Sequence, residues 1–330
     1  RIWAERYAKQ AGHPLGDAAW EEWWKVDADG VSPKHIYFMG KDNIPFHTII
    51  WPSIIMGLNS ASSGNPPSPV PGPGELTLEY NVPANEYLML QGGQFSKSRK
   101  HGVWLPSFLD RYDPDALRYY LSINMPEGHD TDFRWDEFVD RVNNELIGTY
   151  ANFVNRVLTL THRLESSDNN PLSNYFDDSM HDEQVERIQS LLDSATESME
   201  RQRFKEALRS IMGIAQLGNL ILQQSEPWAH LKQPDAPEAR GPMSSLAMSW
   251  LICRGLAVTL RPFMPFQSDR LWAMLGEDAD IDMVLWEEAF IYSSFSWNSE
   301  SPSPLFERLD LDAIIQHERS LAESHEDSNG

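Results

Sequence analysis

The sequence predicts an α/β sheet followed by an antiparallel helix bundle. Two short apolar runs, His35-Ile36-Tyr37-Phe38-Met39 and Glu86-Tyr87-Leu88-Met89-Leu90, read as buried parallel strands, and each leads into a polar, glycine-bearing turn. Beyond Trp135 the pattern changes. Val139, Val142, Leu146, Tyr150, Phe153, Val157, Leu160 and Leu164 recur every three or four residues, which is one apolar stripe on one long helix. A chain of 330 residues that is 41% hydrophobic can hold two or three domains and bury a sizeable core.

In chain order, residues 1–25 read as a helix, a loop through Gly12-His13-Pro14-Leu15-Gly16, and a second helix carrying Trp20, Trp23 and Trp24. Gly40-Lys41-Asp42 then sits at the carboxyl end of the first strand, where ligands bind in open α/β sheets. A helix follows from Pro45 to Gly57, with proline in its first turn and His47 and Trp51 at i and i+4 on one face. Residues 59–74 are rich in Pro, Gly and Ser without a hydrophobic period, and read as a flexible surface insertion. The segment from Asp113 to Leu121 starts a helix, with Asp113 as its N-cap and Pro114 at the first position. After the long helix, further helices are expected at 181–200, 203–225, 243–261 and 265–275. Ser225-Glu226-Pro227-Trp228 breaks the chain between two of them. The expected domains are 1–95 (α/β, with the insertion), 96–134 (loop and connection), 135–295 (helical bundle) and 296–330, a tail whose end is disordered or a frayed helix.

The net charge of −22 opposes whole-surface nucleic-acid binding but leaves room for a local basic patch. The single cysteine, Cys253, excludes an internal disulfide and a cysteine-rich zinc site, and fits a reducing cytoplasm. No apolar run is read as membrane-spanning, so no membrane partner is expected. Arg1-Ile2-Trp3 has no initiator Met or signal pattern and reads as the inside of a domain.

The stretch with most chemistry is Gln91-Gly92-Gly93-Gln94-Phe95-Ser96-Lys97-Ser98-Arg99. The glycines allow a tight turn. Lys97 is a mobile charge, Ser96 and Ser98 are donors and Arg99 is a fork, so the loop can wrap a polyphosphate or be a plain solvated turn.

Together these segments resemble the C-terminal half of the class I aminoacyl-tRNA synthetases, specifically the methionyl-tRNA synthetase family. Gly40-Lys41-Asp42-Asn43-Ile44-Pro45-Phe46-His47 through Trp51-Pro52 is similar to its Gly-Lys-Asp…Phe-His-x-x-x-Trp-Pro segment. Gln94-Phe95-Ser96-Lys97-Ser98 is similar to its Lys-Met-Ser-Lys-Ser signature, with Gln94 where the family has Lys and with Arg99 and Lys100 following. Asn152-Phe153-Val154-Asn155-Arg156 and Glu226-Pro227-Trp228 are similar to the anticodon-reading helices. Ala84-Asn85-Glu86-Tyr87-Leu88 and Phe95 resemble the archaeal and eukaryotic branch.

The resemblance implies the C-terminal part of a Rossmann-type catalytic domain followed by an anticodon-binding bundle. It implies a methionine–tRNA ligase that uses ATP, with Mg2+ accompanying the nucleotide, to join methionine to its tRNA. Lys97 is implied as the catalytic charge on the ATP phosphates, with Ser96 and Ser98 shaping the loop. Gly40, Asp42 and Leu88 are implied at ATP, His47 and Trp51 at methionine, and Asn152, Arg156 and Trp228 at the anticodon. No His-Ile-Gly-His-type sequence occurs here, so a missing N-terminal half is an expected partner and the chain alone is expected to be inactive. An alternative is an anticodon-binding module with no chemistry of its own. At the level of residues, a bland alternative stands beside each role: Asp42 as a helix N-cap, and His47 with Trp51 as core packing. For Trp228 the alternative is a plug at a helix junction, for Asn152 with Arg156 an exposed polar pair, and for Lys97 a surface lysine.

Overall fold

The computed structural model describes residues 2–12, 19–168, 172–291 and 301–327, so the expected loop at His13–Gly16 and the start of the Ser/Pro-rich tail after Trp297 lie outside the described residues. The chain divides into two compact units, residues 1–87 with 126–130 and residues 88–125 with 131–330.

The first unit opens with α1 (Ile2–Ala11) and α2 (Glu21–Trp24). Of the second expected helix, one turn forms among the described residues. Lys25 turns extended, with ψ 151°, and bridges antiparallel to Leu76. Two parallel pairs follow: β1 (His35–Ile36) with β3 (Glu79–Asn81), and β2 (Met39–Gly40) with β4 (Ala84–Asn85). The expected single buried strand at 35–39 is thus two short ones. Its side chains alternate across the strand, leaving Ile36 and Phe38 exposed.

Past β2 the chain makes one π-helical turn (Phe46–Ile50) and continues as α3 (Trp51–Ser63), which Gly64 closes in the left-handed conformation at φ 76°. The first residues of the expected insertion are therefore helical. Asn59 explains why: it is buried, and its amide donates to the Leu76 carbonyl at 2.9 Å and accepts from the Leu76 N–H at 2.8 Å.

The second unit begins with β5 (Leu88–Leu90), which pairs in parallel with β6 (Thr131–Phe133). Between them lie α4 (Leu105–Leu109) and α5 (Pro114–Ile123). Proline opens α5, and the Asp113 carboxylate accepts from the N–H groups of Asp115 and Ala116. Phe108, Tyr120, Phe133, Trp135 and Phe138 pack ring against ring beneath this region.

The long helix runs as α6 (Trp135–Asp140), a π-helical stretch (Arg141–Ala151) and α7 (Asn152–Asp168), and every member of the predicted apolar stripe is buried. Next come α8 (Asp182–Glu200), α9 (Phe204–Ser225), α10 (Arg240–Leu260) and α11 (Pro265–Leu275). On α9, a Cβ built at Gly218 would fall 2.3 Å from the Phe153 ring. Only glycine lets α9 approach α7 this closely.

Residues 237–260 are long and apolar enough to cross a membrane, against the sequence expectation, but 94% of the most apolar window is buried within the protein. This is a core helix. The last element among the described residues is α12 (Leu311–Asp327). Leu305, Phe306 and Ile314 are buried, and the Asn143 amide bonds both the N–H and the C=O of Leu309.

Candidate functional site

In the first unit the strand end at Gly40 opens a polar cluster. Gly40 is extended, with no atom within 4 Å of where a Cβ would stand, so its backbone is open to close approach. Lys41 binds the carboxylates of Glu86 and Asp130, the latter at 3.3 Å, and its ammonium lies 4.3 Å from the Tyr87 ring centroid. The hydrogen bond to Glu86 is the main reason its pKa is raised. Asp42 is not a side-chain N-cap: the helical turn Lys41–Asn43 is capped from Gly40 with no side-chain bond. Instead its carboxylate accepts from the Tyr87 hydroxyl at 2.5 Å, which raises the Tyr87 pKa. Asp130 accepts from the Tyr87 N–H at 2.9 Å, and this bond leads the lowering of its pKa.

His47 and Trp51 are brought together by Tyr37. The Tyr37 ring centroid is 5.9 Å from that of His47, and Trp51 Nε1 donates to the Tyr37 hydroxyl at 3.4 Å. Nδ1 of His47 stands 3.1 Å from the Asn43 carbonyl. Both side chains are only half-buried, so they do not form core packing. The wall they make is aromatic with few polar atoms, which suits a small apolar side chain.

In the second unit Leu88 is half-buried on β5, and the Ser-Lys-Ser loop begins where β5 ends. Gln91 and Gly92, at φ 49° and 79°, form a two-residue turn closed by paired bonds between Leu90 and Gly93. The Asp132 carboxylate accepts from the Gly92 N–H, at 3.0 and 2.9 Å to its two oxygens. A second tight turn follows, with Ser96 and His101 exchanging both backbone bonds at 2.8 and 2.9 Å. Nε2 of His101 contacts the Leu90 carbonyl at 2.8 Å and so ties the base of this turn back to β5. Oγ of Ser96 stands 3.2 Å from Oγ of Ser98 and accepts from the Arg99 N–H at 3.3 Å. Lys97 is at the exposed tip.

Farther along the same unit, Asn152 and Arg156 lie one turn apart on α7, Asn152 exposed and Arg156 half-buried. The chain leaves α9 through Glu226, which is left-handed at φ 46°. Pro227 is buried but Trp228 is 42% exposed, so it is not a junction plug. The Arg156 guanidinium lies 5.4 Å from the Trp228 ring centroid, in cation–π contact.

Sequence reasoning missed Tyr37, Glu86, Tyr87, Asp130, Asp132 and His101. Tyr87 and His101 lie beside motifs and could have been weighed with them. Asp130 and Asp132 follow Gly128-His129, and nothing in their own segment links them to a loop forty residues earlier.

Residues 5–158 match the family described as tRNA synthetases class I (M), and residues 183–324 match the anticodon-binding domain of tRNA ligase. The chain is 37% identical over 317 residues to a methionine–tRNA ligase of Dehalococcoides mccartyi, covering 96% of this chain and 51% of that protein. It is 33% identical over 305 residues to one from Pyrococcus abyssi, covering 90% and 38%. Among solved structures it is similar in fold to Mycobacterium tuberculosis methionyl-tRNA synthetase in complex with methionyl-adenylate, with TM-score 0.68 and 20% identity over 92% of this chain and 54% of that one. The chain spans about half the length of the curated relatives it matches.

Proposed function

We propose that this chain is the part of a methionine–tRNA ligase that carries its lysine loop and anticodon reader, a reading supported by the match of residues 5–158 to the class I (M) tRNA synthetases and of residues 183–324 to the anticodon-binding domain of tRNA ligase. The observation that supports this reading best is the loop: Lys97 stands exposed at the tip of a turn whose base is tied to Leu90 through His101, and Asp132 holds the turn before it at Gly92. Methionine attacks the α-phosphorus of ATP, methionyl-adenylate forms and pyrophosphate leaves. The adenylate then acylates the terminal ribose of tRNA. Such a step needs positioning and charge neutralisation rather than a protein nucleophile. Lys97 supplies charge where it develops on the phosphates. Mg2+ arrives with the nucleotide.

Ser96 and Ser98 set the loop shape. Gly40 gives the nucleotide close access, Asp42 takes the ribose hydroxyls in place of the Tyr87 hydroxyl, and Leu88 offers backbone groups to adenine. His47 and Trp51, with Tyr37, hold the methionine side chain. Asn152, Arg156 and Trp228 read anticodon bases by hydrogen bonding and stacking, the mode that suits splayed single-stranded loops. The unit's helices, with α8 and α9 joined by the short turn Arg201–Arg203, are read as an antiparallel bundle.

Phe46, Ile49, Ile50, Ile54 and Leu58 expose an apolar face in the first unit. That face supports docking of the remaining N-terminal part of the enzyme. The archaeal- and eukaryotic-like placement rests on Phe95 and Ala84–Leu88, and the relatives are bacterial as well as archaeal. The lone buried thiol of Cys253 suits a cytoplasmic enzyme.

An amino-acid panel tests the reading. The chain, combined with a polypeptide supplying the rest of a relative's length, should activate methionine and not leucine, isoleucine or valine. Preference for one of the others would overturn it.

A further inference from the structure

Residues 146–164 contain no Asp or Glu, in a chain that has 49 among 330 residues. This acid-free stretch includes most of the outward face of α7. Asn152, Arg156, Thr159 and Arg163 stand at i, i+4, i+7 and i+11 and so share one face. Phe153, Val157, Leu160 and Leu164 are buried on the other, against which α9 closes at Gly218. Arg163 is exposed. Elsewhere in the same unit Arg141, Arg201, Arg240, Arg254 and Arg261 each stand against a carboxylate. Among the described residues Arg156 and Arg163 have no such partner, as is also true of Arg187 and Arg209 on α8 and α9, but only Arg156 and Arg163 lie in the acid-free stretch. A helix rises 1.5 Å per residue, so they are roughly 10 Å apart along the axis.

We propose that the RNA-contacting surface continues along α7 to Arg163, which binds a backbone phosphate of the anticodon hairpin. This rests on the reading of the unit as an anticodon reader. A strongly acidic protein repels a polyanion, and this face removes the repulsion locally while leaving two guanidinium groups unneutralised. A guanidinium fork matches phosphate geometry. A phosphate contact positions the hairpin and carries no sequence information, in contrast to the stacked pair Arg156 and Trp228.

The test is the salt dependence of binding, using the whole chain with a methionine-anticodon hairpin and one with a scrambled anticodon. Arg163→Gln should weaken both hairpins by the same factor and make the slope of log K against log salt shallower by about 1. Arg163→Lys should restore the slope, which a purely structural role would not require. Trp228→Ala should leave the slope in place and remove the preference between hairpins. An unchanged slope in Arg163→Gln, or a loss confined to the methionine hairpin, overturns the proposal. If Trp228→Ala still removes the preference, the anticodon reading survives that failure. No binding of either hairpin by the unaltered chain overturns both.

Discussion

The Arg156 guanidinium lies over the Trp228 ring, 5.4 Å from its centroid, although α8 and α9 separate the two residues in the chain. The contact holds the indole half-exposed with one face covered. A base can stack on the remaining face.

Trp228→Ala should therefore weaken binding of a methionine-anticodon hairpin by ~1–3 kcal/mol, the usual worth of one base–aromatic stack. Fluorescence anisotropy at fixed salt checks this. Equal affinity for the variant would remove Trp228 from the reader.

The turn before Lys97 is pinned by a carboxylate. Asp132→Ala should leave the Gly92 N–H without its acceptor and speed amide exchange at Gly92 roughly tenfold or more, as loss of a hydrogen bond to a charged group implies. Asp132→Asn, which keeps an acceptor oxygen, should show a smaller change. Hydrogen exchange resolved at Gly92 decides between them.

Close approach of α9 to α7 depends on Gly218. A methyl group there would meet the Phe153 ring at 2.3 Å, so Gly218→Ala should destabilise the second unit by about 1–3 kcal/mol. Adding Phe153→Leu should cost less than the sum of the single changes, because it makes room for that methyl. Chemical denaturation of the four proteins measures the coupling.

Asp115 gives the second unit a pH signature. It is fully buried, one carboxylate oxygen has no partner and the other accepts from the Gln267 N–H at 2.7 Å. Burial pushes its pKa up from 3.8 to about 6. The folded chain thus holds this proton more tightly than the unfolded chain, and stability from this group rises as pH falls through about 6 toward 4. Buried His181, whose pKa is lowered, acts in the opposite sense below 6.5. Comparing Asp115→Asn with the unaltered chain cancels His181. Between pH 7 and pH 5 the difference in unfolding free energy should move by about 1 kcal/mol in favour of the unaltered chain. A difference that stays constant with pH would refute the shift.

The helices were legible because burial there follows a single period. The stripe from Val139 to Leu164 and the cap at Asp113-Pro114 are local signals, and both form as read. The strands were less legible. Each has only two or three residues, too few for a run of apolar residues to show where pairing starts and stops. The helical start of the expected insertion was hidden because it depends on Asn59 reaching Leu76, a contact that no local pattern encodes. In the candidate site, Lys97 and Trp228 stood out within their motifs. Their supports did not, because Asp132 and Arg156 meet their partners only through the fold.

The most direct measurement is methionine-dependent exchange of labelled pyrophosphate into ATP, with the chain complemented by the remaining length of a methionine–tRNA ligase. Exchange should appear only when both parts are present, and Lys97→Ala should lower its rate by roughly 100-fold or more, as expected for losing one preorganised charge at the reacting phosphates. Exchange that never appears, or that proceeds unchanged without the Lys97 ammonium, would contradict the assignment of this chain to methionine activation.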